Sequence, residues 1–384
     1  MGGERLLVNV HRNPGYRGNR VVGIRPSAFH RTMPDYEVTP VVDLADLAAS
    51  CGVARIAVKN EQQRLGLPSF KGLGCSWALH ERVKSAKGLS AEALLPFPEL
   101  RAGAADLGAP TLCTASEGNH GRAVAALAQA LRCGCVVFLP ADSAASRVDA
   151  IVGHGAEVEL IDGSYDEAVE VARAAARARG HWYCPDTVGP DATEDERMFA
   201  SNVMAGYNTL FEEFFGQLVN VPDVLFVQAG VGGLSAAGAS AVRQLSTVTR
   251  VVVVEPRGSA AIARSFAAGS PTVVTDVPTV MACLRCQSVS AVAWPVLVAG
   301  VDAALLVSDD EAATAVRALA RAGIVAGASG AAGFAGVLVA CGDQALRSRI
   351  GITSDSSIAV VNTEGATDPE SYEAILVDSL QTSK

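Results

Sequence analysis

The sequence is poor in aromatic residues, which make up 5% of its 384 positions, and poor in charge, at 18%. Acidic residues outnumber Lys and Arg, giving a net charge of -9, and no basic run gathers enough cations to neutralise phosphates. A nucleic-acid partner is therefore not expected. No secretory pattern is visible, since Arg and Gly interrupt the first twenty residues. Strongly apolar runs of membrane-spanning length are also lacking. The uncharged run 322–342 is made of Gly, Ala and Ser more than Leu and Ile and has no aromatic anchors. It reads as a buried loop and helix, with no membrane association. The nine cysteines are scattered, and an odd number makes no disulfide framework, so a reducing, cytoplasmic setting is expected. Cys283 and Cys286 form a CxxC, but no second pair or nearby His completes a zinc set, and no metal is expected. Internal repeats and low-complexity tails are absent as well.

What is present is an alternation of apolar runs and helical segments. A chain of this length exceeds the usual single core, which points to two domains. From Thr111, "TLCTAS" reads as a strand, "HGRAVAALAQALRCG" as a helix, and "CVVFLP" and "AEVELI" as further strands with helices after each. This βαβαβα order implies a parallel sheet covered by helices. Ser164 and Glu167 suit a capping box at the start of the third helix. A long helical stretch is expected over 194–216. A second α/β series follows, with strands "VLFVQA", "RVVVVEP", "AALLV" and "IAVVNTEG". The fold class is thus α/β, with two open parallel-sheet domains. Residues 1–74 and 200–384 are expected to form a large domain and 75–199 a smaller, mobile one that closes over substrate.

Four features carry chemistry. In "GLPSFKGLGCSW", Lys71 has no acid within seven residues. It is either a loop lysine snorkelling to water, or an amine kept desolvated, depressed in pKa and ready to form a Schiff base. In "QAGVGGLSAAG", Gly230, Val231, Gly232, Gly233 and Leu234 lie between a strand and a helix. Bared amides at a helix start make an anion cradle, although the glycines also serve close packing. Neither the Gly-Lys-Ser/Thr ending of a P-loop nor the third glycine of a dinucleotide fingerprint is present, so one phosphate monoester fits better. In "SEGNHG", Ser116 and Gly118 with the helix start suit a small carboxylate, and Asn119 offers a neutral amide to a phenolic oxygen. His120 is either a base or a loop residue satisfied by backbone groups, the second reading being favoured. In "VNTEGATDP", Thr363 ends a strand where open α/β folds bind ligands, or simply begins a turn. Taken together, the four point to pyridoxal 5'-phosphate. Lys71 would hold its aldehyde, the Gly230 loop its phosphate, Asn119 its ring oxygen and Thr363 its ring nitrogen.

On these residues the chain resembles the fold type II (tryptophan synthase β) class of pyridoxal-phosphate enzymes, and within it the diaminopropionate ammonia-lyases. "AFHRTMPDYEVTP", "RLGLPSFKGLG", "SEGNHGRAVA", "SRVDAIVGHGAEV", "DGSYDEAV", "PDT", "QAGVGGL", "MACL" and "NTEGATDP" occur in family order from about Ala28 to Tyr372. The resemblance implies an active site in the cleft between two domains, a homodimer, and α,β-elimination of 2,3-diaminopropionate to pyruvate and ammonia. It implies that Lys71 is the base for one enantiomer and that Glu117, in the GNHG loop, serves the other. His120 would then belong to the substrate loop, and Asp186, in "PDT", would lie near the substrate amine. Two departures bear on the substrate. Glu117 stands where the family usually has Asp, and Ser69 precedes Phe70 as in serine and threonine dehydratases. A serine/threonine-type dehydratase and a β-replacement synthase are the alternative chemistries. A non-catalytic paralogue is disfavoured by the joint presence of Lys71, Asn119, the Gly loop and Thr363.

Overall fold

The computed structural model describes residues 4–19, 23–116, 118–275 and 277–381. Eleven strands occur among them: β1 (Leu6–Val8), β2 (Val41–Asp43), β3 (Arg55–Asn60), β4 (Leu112–Ala115), β5 (Cys135–Pro140), β6 (Glu157–Ile161), β7 (Trp182–Tyr183), β8 (Val224–Gln228), β9 (Arg250–Pro256), β10 (Ala303–Val307) and β11 (Ser357–Asn362). The chain divides into two compact units. The larger holds Met1–Arg20, Val38–Gln63 and Phe211–Lys384, and the smaller Val21–Glu37 and Arg64–Leu210. The lysine segment from Arg64, expected with the large domain, packs in the smaller unit.

In the larger unit a seven-stranded sheet runs β1-β10-β9-β8-β11-β3-β2. Its five inner strands are parallel, and β1 and β2 close the two edges antiparallel. Near-continuous Val, Ile and Phe make both faces of the inner strands apolar, as helices on both sides require. The uncharged run of membrane-spanning length becomes the 15-residue helix Ala328–Gly342, packed on this sheet. Its small residues follow from that packing. A Cβ on Gly336 would lie 2.6 Å from Val254 Cγ2, and one on Gly333 2.9 Å from Val360 Cγ2. No described helix is long and apolar enough to cross a membrane.

The smaller unit holds the parallel sheet β6-β5-β4-β7 around a core of Cys113, Val136, Phe138, Ala168 and Ala172. The expected capping box is present: Ser164 Oγ accepts from the Glu167 N–H, and Glu167 accepts from the Ser164 N–H. The single helix expected over 194–216 is instead two, Glu194–Gly206 and Asn208–Gln217, interrupted at Tyr207. Close packing accounts for the interruption. A Cβ on Gly206 would stand 2.5 Å from the Leu73 carbonyl, and one on Gly74 2.6 Å from Tyr207 Cε1. The glycines after Lys71 thus let Tyr207 approach the lysine turn, where its ring meets Phe70 edge-on at 4.8 Å.

Candidate active site

Each unit carries its own part of the expected chemistry. In the smaller unit Lys71 is the first residue of the helix Lys71–Ala86. Its Nζ donates to Asp186 Oδ2 at 2.7 Å, with the two side chains 19% and 9% exposed. The acid missing from the local sequence is supplied 115 residues away, just past β7. Burial works to lower the Lys71 pKa, but the Asp186 carboxylate, with Tyr207 and Cys75, outweighs it and raises the pKa. This corrects the expectation of a depressed amine: with Asp186 beside it, Lys71 is an ammonium. Asp186 mirrors this. Burial pushes its pKa up, while His120, in its protonated form at low pH, and the Lys71 ammonium hold it well below the usual carboxylate range. Tyr165 also donates to Asp186 Oδ1, at 3.4 Å.

His120 is buried and engaged at both nitrogens. Nε2 lies 2.8 Å from the Cys184 carbonyl, which can only accept, so Nε2 carries the proton. Burial lowers the ring's pKa and raises that of Cys75. The neutral ring therefore accepts the Cys75 S–H at Nδ1, with 3.3 Å between the atoms. Asp186 Oδ2 lies 3.9 Å from the same nitrogen.

The loop after β4 leads into the helix Asn119–Leu131. The buried Ser116 Oγ accepts from the N–H groups of both Gly118 and Gly121, each at 2.8 Å. Those amides are therefore spent inside the loop, which corrects the expectation that Gly118 offers its amide to a carboxylate. Ser116 retains its own proton to donate. Asn119 begins the helix and is buried. Gly118 has φ +137, and the Arg147 side chain covers it. Glu117 lies outside the described residues.

In the larger unit β8 runs through Gly230–Gly232 into the helix Gly233–Leu245. Gly232 has φ +95, a left-handed conformation that favours glycine, and its Cβ would lie 2.6 Å from Leu297 Cδ1. A Cβ on Gly230 would meet Cys286 Sγ at 2.9 Å, so the CxxC segment packs against this loop. Among the described residues no group of three His, Cys, Asp or Glu is arranged to hold a metal. The N–H groups of Gly230, Val231, Gly232, Gly233 and Leu234 donate to no backbone carbonyl among the described residues. A turn of unspent donors at a helix start matches a phosphate monoester.

Just past the end of the neighbouring strand β11, Thr363 is buried, and its Oγ1 accepts from Gln228 Nε2 at 3.0 Å. The carbonyls of Ser329, Gly330 and Val361 surround the same nitrogen and fix the amide's orientation. With its oxygen engaged, Thr363 has an O–H to give, the partner an unprotonated ring nitrogen needs. In the larger unit the glycine turn and the buried hydroxyl donor, and separately in the smaller unit the amine, each have chemistry that suits a functional group of pyridoxal phosphate. Sequence reasoning missed Tyr165, Tyr207, Cys75 and Gln228. Gln228 and Tyr165 sit inside the quoted "QAGVGGL" and "DGSYDEAV" segments, and Cys75 follows Lys71 by one helical turn.

The family model described as "Pyridoxal-phosphate dependent enzyme" matches residues 32–363. The chain is 33% identical over 381 residues to the diaminopropionate ammonia-lyase of Salmonella typhimurium, covering 93% of this chain and 92% of that one. It superposes with a TM-score of 0.87 on the Escherichia coli diaminopropionate ammonia-lyase in complex with D-serine, at 28% identity and 97% coverage of each chain. The same score, identity and coverage hold for that enzyme in complex with an aminoacrylate-PLP azomethine reaction intermediate. Across nearly its whole length, then, in sequence and in fold, the chain belongs to the diaminopropionate ammonia-lyase family of pyridoxal-phosphate dependent enzymes.

Proposed function

We propose that this enzyme takes one 2,3-diaminopropionate and one water to one pyruvate and two ammonia. The observation that carries the reading is the Lys71–Asp186 pair. Pyridoxal phosphate, when bound, withdraws electrons from the substrate α-carbon through its ring. Lys71 joined to the cofactor would no longer present Asp186 with a free ammonium, and Asp186 would then be a largely buried carboxylate lacking that cation. Such a group is costly unless another cation replaces the lost one. The second ammonium of diaminopropionate supplies that cation, and the neutral hydroxyl of serine or threonine does not.

In this reading one pyridoxal phosphate is bound per chain. The Gly230–Leu234 amides take its phosphate, Thr363 its ring nitrogen, and Asn119 its ring oxygen. Ser116 donates to the substrate carboxylate beside the His120 turn. Lys71, once released, takes the α-proton of one enantiomer, and Glu117 takes that of the other. A homodimer in the cytoplasm completes the proposal. The nine cysteines, all free thiols, support a reducing compartment.

The test is to incubate the holoenzyme separately with D- and L-diaminopropionate, L-serine and L-threonine and to measure the 2-oxo acid formed. Pyruvate from diaminopropionate, with little from the hydroxy amino acids, is the expected result. Preferential turnover of serine or threonine favours the dehydratase. No oxo acid from any of them, with the cofactor bound, favours a β-replacement synthase.

A further inference from the structure

We propose that the larger unit carries a second anion site, for a small dianionic group such as phosphate, built from Arg12, Arg250 and Arg349 around Asp302. Asp302 directly precedes β10 and is the hub. Its Oδ2 accepts from Arg243 Nη2 at 2.6 Å and from the Val251 N–H at 2.7 Å. Its Oδ1 is shared by Arg12 Nε at 3.2 Å and Arg250 Nη1 at 3.4 Å. Three guanidiniums therefore meet one carboxylate, an excess of two positive charges in a partly desolvated place.

The members of the cluster are not equivalent. Arg243 is 1% exposed, and its Nε and Nη1 donate to the carbonyls of Gly300 and Thr249, so each of its three guanidinium nitrogens has a partner. Burial lowers its pKa, Asp302 opposes that, and Arg12 and Arg250 lower it further, as expected where like charges crowd. Arg12 gives one further donor to the Thr247 carbonyl. Apart from that bond, Arg12 and Arg250 are held by long contacts to a single shared oxygen. Both line a cavity of about 250 Å³ together with Arg349, Val8 and Val252. Arg349 pairs with Glu4 at 3.0 Å, but both side chains are well exposed, and such pairs are worth little. The one buried carboxylate at the cavity is already saturated.

The size and chemistry of the walls select the ligand. The space is below the range of drug-sized sites, about 300–1,000 Å³, and suits a small anionic group. Guanidinium forks match phosphate oxygens in pairs. The place is also distinct from the Gly230 loop. Arg250 opens β9 and Asp302 precedes β10, whereas Gly230 follows the carboxyl end of β8. A strand of this length spans roughly 17 Å, so the two anion sites lie at opposite ends of one sheet.

The experiment is equilibrium dialysis of the holoenzyme against labelled inorganic phosphate, with ionic strength held constant by chloride. One saturable site per chain is expected in addition to the cofactor's own phosphate. In Arg250→Gln, whose side chain is half exposed in the wild type, the affinity falls at least about tenfold, as expected for one lost charge-assisted hydrogen bond. Retained cofactor absorbance shows that the variant is folded, and Arg349→Gln replaces it if that absorbance is lost. Absence of a saturable site, or unchanged affinity in the folded variant, overturns the proposal.

Discussion

Lys71 Nζ sits 2.7 Å from Asp186 Oδ2, bringing together a cation and an anion separated by 115 residues of chain. The pair fixes the charge of the lysine before any ligand arrives, and a pH dependence follows. Asp186 has a depressed pKa, so its contribution to stability is present above the unfolded carboxylate value near 4 and is lost as pH falls toward the folded value. Lys71 has a raised pKa, so its contribution is present below the unfolded value near 10 and is lost as pH rises toward the folded one. The apoprotein's stability advantage over Asp186→Asn is therefore expected to be flat between about pH 5 and 9 and to shrink outside that window. Its size is about 3 kcal/mol, the lower end for breaking a buried pair. Denaturant titrations of the two apoproteins across pH measure it.

In the proposed reading the same pair also governs capture of the cofactor. Only the neutral amine attacks an aldehyde, and Asp186 holds Lys71 protonated. In Asp186→Asn the pH profile for reconstitution of apoprotein with pyridoxal phosphate is expected to move toward lower pH by at least about one unit, a tenfold change in reactive amine. Stopped-flow absorbance of reconstitution reads this directly. An unmoved profile assigns the control of the amine to another group.

Gly232→Ala forces a side chain into a left-handed conformation and against Leu297 in the turn proposed to hold the cofactor's phosphate. Such strain costs about 1–3 kcal/mol, so cofactor affinity is expected to fall about 5- to 150-fold. Titration of the apo variant with pyridoxal phosphate checks it.

Much of this was legible in the sequence because the signals were local. Strands Cys135–Pro140, Arg250–Pro256 and Ala303–Val307 fall where the apolar runs placed them, since buried parallel strands are nearly uniform in composition. The glycine loop and the capping box were readable for the same reason. What escaped depends on distant partners. The protonation state of Lys71 is decided by Asp186, and the break at Tyr207 by close packing against Gly74 in the sequence-distant Lys71–Ala86 helix. β1 and β2 are three-residue antiparallel edges, too short to show a period.

Thr363→Val keeps the shape of the strand end and deletes the hydroxyl that Gln228 orients. We expect kcat to drop about tenfold, with KM for diaminopropionate little changed, since in the proposed reading the lost bond is to the cofactor ring and is worth about 1–1.5 kcal/mol. Steady-state kinetics with saturating cofactor measure this split.

Glu117 is one methylene longer than the family's usual aspartate. In the proposed reading its carboxylate serves the D-enantiomer, and aspartate is the length that the family resemblance implies for that role. Glu117→Asp is expected to raise kcat/KM for D-diaminopropionate by as much as ~100-fold and to leave the L-isomer nearly unchanged. Parallel assays with the two enantiomers decide it.

The central claim is that Lys71 is the residue that holds the cofactor. Borohydride reduction of the holoenzyme fixes a pyridoxyl group on whichever lysine carries it, and peptide mass spectrometry locates that lysine. The account predicts one modified lysine per chain, at Lys71, and no modification in Lys71→Ala. A pyridoxyl group on another lysine such as Lys59 or Lys84, or persistence of the label in Lys71→Ala, contradicts it.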